Sequence, residues 1–437
     1  MILNPIAIIF VIIGVGALLF LPRRWAPLPL LSAACYMTMS QGIVVGPFHF
    51  TIVRVMIVVG LARALIRGER LAGGMNGLDW LMLIWASLVL ASSFFQNNMS
   101  SAFVFRLGFA YNVCGIYFLI RIFCHSIDDT RALCAATAML LFPIAVAMFC
   151  EKIFQFNIFS VLGGTNAIPA IREGKVRAVG PFAHPILAGT VGAACIPIML
   201  SLWSEQKKTA IFGLISCLMM VLACTSSGPI MSATAALAAM LMWHFKQHMK
   251  FVRWFAVITY IAFDIIMKAP AYYLIARFDL VGGSTGWHRA ALIETAINHI
   301  DEWWLWGTDY TRHWMATGVY WSEDHIDITN YYLQIGIIGG LPLMLLFIAI
   351  LWKGFAFVGR MTTESSCMIR DVSFLMWSLG ASLFVHSVTF ISVSYVDQSF
   401  IFIYLILALI GSAWSSNGAL RPREDVYIYG DDAQCYS

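Results

Sequence analysis

Apolar residues run along this chain in blocks of roughly twenty, separated by short polar connectors, and within a block apolar and polar residues do not alternate. A helix of about 20 residues, rising 1.5 Å per residue, crosses the ~30 Å hydrocarbon core of a bilayer. A barrel strand would need alternation instead. The blocks therefore predict an all-α, polytopic transmembrane helical fold. Thirteen spans are expected, over 4–21, 27–45, 48–66, 78–95, 101–120, 132–154, 183–203, 209–225, 229–245, 251–268, 331–352, 372–394 and 399–415. The connectors at Gly46-Pro47 and Ser227-Gly228-Pro229 are very short. A re-entrant segment at either place would change the count to about twelve.

Two long stretches break the pattern, and they divide the chain. N-terminal spans occupy 1–154, a first loop 155–182, central spans 183–268, a large loop 269–330, C-terminal spans 331–415 and a polar tail 416–437. Composition agrees with the hydropathy. The chain is 60% hydrophobic and 11% charged, with mean hydropathy +0.80, whereas a soluble domain carries about 25% charged residues.

Lysine and arginine set the orientation, because basic residues accumulate in cytoplasmic connectors. Of the 27, seventeen fall in one alternating set of connectors and eight in the other, with Arg54 and Arg106 inside spans. The richer set is cytoplasmic. The amino terminus is then outside and the carboxyl tail inside, and both long loops face outward. The net charge of +4 carries little, because the charges sort by membrane side, and no nucleic-acid partner is expected. No cleavable signal peptide is evident at 4–21. Neither outer loop contains a cysteine, so no disulfide staples them, and no Cys/His spacing points to a metal.

The outer loops hold the chemistry. The first contains Arg172, Lys175 and Arg177, and ends in Gly180-Pro181-Phe182-Ala183-His184-Pro185 just before a span. Arg177 and His184 are thus expected at the membrane–water boundary, where a guanidinium fork suits the phosphates of a lipid-linked donor. Snorkelling to lipid headgroups is the alternative. The second loop carries Arg277 and six of the fifteen tryptophans. Residues 287–300 predict an amphipathic surface helix with Thr285 as N-cap. Trp303 and Trp304 follow, and a tryptophan face suits a sugar ring as well as it suits an interfacial belt. The loop ends in Asp324, His325 and Asp327. A His tuned by a nearby carboxylate is a usual general base near neutral pH, which makes His325 or Asp327 the candidate base. Arg54, Arg106, Asp264 and His386 lie inside spans and are expected to face the protein interior or water.

Four motifs in order, over roughly 170–350, resemble one family. VRAVGPFAHPILAG (176–189) resembles an arginine followed by Gly-x-Phe-x-x-Pro. ACTSSGPIMSATAALAAML (223–241) resembles a Thr-Gly-Ser-Arg-Gly helix start. WHRAALIETAINHIDEWWLWGTD (287–309) resembles an arginine-bearing surface helix ending at a Gly-rich turn. ITNYYLQIGIIGGLPLML (328–345) resembles His-Asn-x-x-Leu followed by Gly-Ile/Leu-x-Gly. The family is the O-antigen ligase and Wzy-type polymerase superfamily.

The resemblance implies a bacterial inner-membrane enzyme working on the periplasmic face without metal or cofactor. It would transfer glycan from an undecaprenyl-diphosphate-linked oligosaccharide to an acceptor hydroxyl, beside a flippase and a chain-length co-polymerase. It implies that Arg177 and Arg289 hold the diphosphate. The catalytic candidates are then His325, Asp327, Arg289 and Arg177. The substrate-binding candidates are Arg172, His184, Arg277, Trp303, Trp304 and Asn330. Two positions depart from the pattern: Thr329 stands where ligases carry His before Asn330, and Ser227 stands where an arginine is usual. The first departure favours a polymerase over a ligase. A transporter or a scaffold subunit is the reading from a different class, and a scaffold predicts that the loop arginines are dispensable.

Overall fold

The computed structural model describes residues 3–267, 269–277, 286–316, 318–319, 322–363 and 370–419. The chain is mostly helical with little strand. In order it forms α1 (Pro5–Phe20), α2 (Pro27–Tyr36), the hairpin β1–β2 (Gly42–Val45, Phe48–Thr51), α3 (Ile52–Arg67), α4 (Gly77–Ala91), α5 (Met99–Phe123) and α6 (Ile127–Phe154). A second hairpin, β3–β4 (Ala170–Arg172, Lys175–Arg177), precedes α7 (Pro185–Ser201), α8 (Lys207–Ala223), α9 (Ser227–Leu241) and α10 (Met249–Ile266). Then come α11 (Leu274–Arg277), α12 (Gly286–Asn298), α13 (Ile300–Trp303), α14 (Tyr331–Thr363), α15 (Arg370–Thr389) and α16 (Phe400–Ala419).

Among the described residues, five helices are long and apolar enough to cross a membrane: Gly77–Phe95, α5, α6, α14 and α15. Three shorter apolar helices, Pro5–Phe20, Pro185–Ser201 and Phe400–Ser416, join them. Helices α7 and α16 are buried almost all round, as an element apolar on every face must be. Helix α7 packs on α8, α9 and α15, and α16 on α5, α14 and α15. Small residues let α7 approach closely: a Cβ on Gly192 would lie 2.8 Å from the Cys217 carbonyl oxygen, and one on Gly189 2.5 Å from Cys224 Sγ. A buried ion pair ties α4 to α5. Arg121 Nε and one terminal nitrogen donate to Asp79 at 3.0 and 2.9 Å, and Tyr117 donates to the same carboxylate at 2.7 Å.

Two sequence expectations are corrected. The block 27–45 is not one long helix: α2 ends at Tyr36, and 42–51 is the antiparallel hairpin, with Val45 opposite Phe48. Its β-branched run Ile43-Val44-Val45 and the turn at Gly46, at φ 58°, favour strand over helix. The block at 331–352 extends to Thr363 and breaks at Gly339–Gly340, where the backbone leaves helical values.

That break is stitched to the segment after α12. The carbonyl of Ile337 accepts from Thr308 N at 2.8 Å, and Leu341 N donates to the Trp304 carbonyl at 2.7 Å. The Ile338 carbonyl accepts from Arg106 at 2.7 and 3.0 Å and from Ser92 Oγ at 3.1 Å. Arg106 is thereby a structural strut for the groups an interrupted helix leaves unpaired in a membrane. Gly340, at φ 81°, lies so close to Leu305 that a Cβ would come within 2.2 Å of its carbonyl oxygen. Arg54 is likewise engaged inside the protein, by Asn112 Oδ1 at 2.9 Å and the His49 carbonyl at 2.5 Å. Asp264 accepts from Ala271 N at 2.8 Å, just past the end of α10. His386 bonds Tyr395 at 2.7 Å. Cys367, the turn Gly282–Gly283–Ser284–Thr285 and the tail from Arg421 lie outside the described residues.

Candidate anion-binding site

The segment that leaves β4 and enters α7 is fixed by two carboxylates that nothing in the motifs marks. Glu151, buried at the end of α6, accepts from Val179 N at 3.0 Å and Gly180 N at 2.8 Å. Asp397, buried between α15 and α16, accepts from Ala183 N at 2.7 Å and from Ser399 N at 2.9 Å. Burial pushes the Asp397 carboxyl up and the bonded N–H groups pull it down, with burial the larger effect. Asn157 Nδ2 donates to the Gly180 carbonyl at 2.9 Å and Gln398 Nε2 to the Pro181 carbonyl at 2.7 Å. Four side chains from three parts of the chain thus hold 179–183 in one conformation.

This turn presents His184 at the N-cap of α7. Its Nδ1 accepts from Ile186 N at 3.2 Å, which leaves the proton on Nε2. The ring is partly open to solvent, and three guanidinium groups lie within electrostatic reach of it. Crowding and then the charges of Arg177, Arg289 and Arg172, in that order, hold its imidazole down from 6.5 to about 4. At neutral pH His184 is therefore an uncharged hydrogen-bond donor and not a strong base.

The three arginines come from two distant segments. Arg172 and Arg177 lie on the two strands of the β3–β4 hairpin, where Ala170 stands opposite Arg177 and Arg172 opposite Lys175. Arg289 lies on the first turns of α12. Arg177 is buried, and both Arg177 Nε and Arg289 Nε are buried without a hydrogen-bond partner among the described residues. Burial lowers the affinity of both guanidiniums for their protons, and Arg172 adds to this at each, though an arginine stays charged. The carboxylate of Asp327 works the other way at Arg289. The strand edge is pinned beside the α8–α9 turn: Ala178 N donates to the Ala223 carbonyl at 3.1 Å, and Oγ1 of Thr225, a residue at φ 45°, donates to the Val176 carbonyl at 3.0 Å. Lys152 Nζ reaches Thr225 Oγ1 at 2.9 Å. Positive charge and helix N-termini accumulate here, while the Glu151 and Asp397 carboxylates are taken up by backbone N–H groups and Asp327 acts on Arg289, the chemistry of an anion site.

The remaining predicted residues divide. Asp327 joins the cluster through Arg289, and His288 Nε2 meets its carbonyl at 3.3 Å. His325 Nδ1 faces Ser322 Oγ at 2.8 Å within its own loop. Asn330 caps α14: Oδ1 accepts from Leu333 N at 3.1 Å and Nδ2 donates to the Ile391 carbonyl at 3.0 Å, so the structure gives it an architectural role. Trp303, expected to meet substrate, is 3% exposed and donates from Nε1 to the Ala296 carbonyl at 2.8 Å. Its ring packs on Gly336, so it is core. Trp304 is half exposed, and Trp306 stacks on Phe95 at 3.9 Å. Arg277 ends α11, and its side chain lies outside the described residues.

Compared with models of known protein families and with curated proteins, the chain matches none. The family resemblance rests on its four motifs, and the fold beyond a mostly helical chain with membrane-length apolar helices rests on the chain's own residues.

Proposed function

We propose that this is a bacterial inner-membrane polysaccharide polymerase of the Wzy type. It transfers undecaprenyl-diphosphate-linked glycan onto the acceptor sugar of another lipid-linked repeat unit at the periplasmic face. What supports the reading most is the electrostatic reach of Arg172, Arg177 and Arg289 to His184, at the start of a buried apolar helix. A lipid diphosphate needs cationic forks, and it is the leaving group of the transfer.

In this reading the arginines neutralise the charge that develops on the departing diphosphate. His184 donates its Nε2 proton in a hydrogen bond to a phosphate oxygen. Asp327, beside Arg289, or His325 deprotonates the acceptor hydroxyl. The hydroxyl oxygen forms the new glycosidic bond as the anomeric carbon–phosphate oxygen bond breaks, and the electron pair leaves with undecaprenyl diphosphate. A direct displacement inverts the anomeric centre. Exclusion of water by the 269–330 segment favours transfer over hydrolysis. Thr329 in place of the ligase histidine favours polymerase over ligase. The test is purified protein with an undecaprenyl-diphosphate-linked repeat unit. Longer lipid-linked oligomers with released undecaprenyl diphosphate support the reading. Intact starting lipid under conditions where the protein is folded overturns it.

A further inference from the structure

Away from the arginine cluster, the segment after α12 brings together three metal-type ligands that are spread over the sequence. His299 follows α12, Glu302 lies one turn on in α13, and His313 sits in the short helical turn Arg312–Trp314. One ligand atom of each lies within 4.8 Å of the others. In a tetrahedral zinc site, ligand atoms at about 2.0–2.2 Å from the ion lie about 3.4 Å apart, so binding needs only small adjustments: Glu302 Oε1 and His313 Nε2, now 2.9 Å apart, open slightly, and His299 closes in.

Two of the three ligands already have an outer partner that orients them, and the third is held by ring stacking. His299 Nδ1 bonds the Thr295 carbonyl at 2.8 Å, which puts its proton on Nδ1 and leaves Nε2 as ligand. Glu302 Oε2 accepts from Trp314 Nε1 at 2.9 Å, leaving Oε1 toward His313 Nε2, also at 2.9 Å. The His299 ring stacks on Trp314 at 5.5 Å and the His313 ring on Tyr310 at 5.1 Å. The turn that carries His313 is itself held, with Thr311 N and Arg312 N donating to the Asp324 carbonyl at 2.9 and 3.0 Å. A ligand histidine with its second nitrogen on a carbonyl, as at His299, and a ligand carboxylate with its second oxygen on a donor, as at Glu302, are the arrangement metal sites use.

The geometry points to a divalent transition-metal site, of the kind zinc occupies, formed by His299 Nε2, Glu302 Oε1 and His313 Nε2. Three protein ligands at a partly exposed position leave the fourth to solvent. The ion bridges 299–302 to 313 across the Gly307 turn, which contacts the α14 break through Thr308. It therefore staples the segment that stitches that break. This site is independent of the diphosphate reading.

The test loads full-length protein in detergent with zinc, removes free metal and measures zinc per chain, with cobalt as a spectroscopic replacement. The wild type is expected to retain about one equivalent and to melt at higher temperature with zinc, by mass action. His313→Ala and Glu302→Gln, both at exposed positions, lose the retention and the shift. Trp314→Phe, which removes the donor to Glu302 and alters the ring stacked on His299, weakens binding roughly 10–100-fold. His288→Ala, on α12, keeps both. Zinc washed out of the wild type, or retained equally by His313→Ala, overturns the proposal.

Discussion

Arg177→Met separates function from stability. Arg177 is 8% exposed, its Nε lacks a partner among the described residues, and its neighbours within electrostatic reach include Arg172 and the imidazole of His184. An unpaired buried donor costs roughly 1–3 kcal/mol. Methionine keeps the straight apolar stem and removes that cost, so the unliganded protein is expected to gain about 1 kcal/mol or more. A hydrogen bond from a charged donor to phosphate contributes about 1.5–3 kcal/mol, so undecaprenyl diphosphate should bind roughly 10- to 150-fold more weakly. Because Arg177 is the largest charge acting on His184, the imidazole should also rise from about 4 toward 6.5. Thermal unfolding in detergent, equilibrium binding of the lipid and histidine-labelled NMR read the three effects. Arg177→Lys keeps the charge and loses the fork, and should fall between. A variant that melts earlier, binds the lipid unchanged and leaves His184 where it was would show a structural strut and refute the reasoning.

Further outcomes follow from the same geometry. Asp397→Ala leaves Ala183 N without its acceptor and should destabilise the protein by roughly 2–4 kcal/mol in thermal or denaturant unfolding. Gly340→Ala should cost at least about 2 kcal/mol, because φ is positive and the new Cβ would press on the Leu305 carbonyl, with unfolding again the readout. His184 has a folded value below its ordinary one, so its contribution to stability is complete above about 6.5 and is lost as pH falls toward 4. A bound phosphate draws its value back up, so lipid binding should strengthen over that same fall in pH, and His184→Gln should flatten this dependence in a binding titration.

The apolar blocks made most helices legible, because membrane-length apolar runs have one common solution in lipid. Residues 42–51 were not, since a run of Ile43-Val44-Val45 is as apolar in a hairpin as in a helix. The break at Gly339–Gly340 hid for the same reason: hydropathy does not register a lost hydrogen bond. Arg172, Arg177 and Arg289 stood out by their place in loops where basic residues are scarce, and in the structure all three act electrostatically on His184. Glu151 and Asp397 carried no such mark, because their partners are backbone N–H groups 28 to 214 positions away. Adjacent Trp303 and Trp304 look alike in sequence, yet the turn of α13 buries one and exposes the other. His299, Glu302 and His313 were not grouped because the third ligand lies beyond a glycine turn, outside any compact spacing.

The most direct measurement is lipid-extract analysis of cells of the source strain carrying Arg177→Ala and Arg289→Ala at normal protein levels. The account predicts single repeat units accumulating on undecaprenyl diphosphate while long polymer disappears. Long polymer accumulating on the carrier would make the protein a ligase, and unchanged glycans would contradict the enzyme reading altogether.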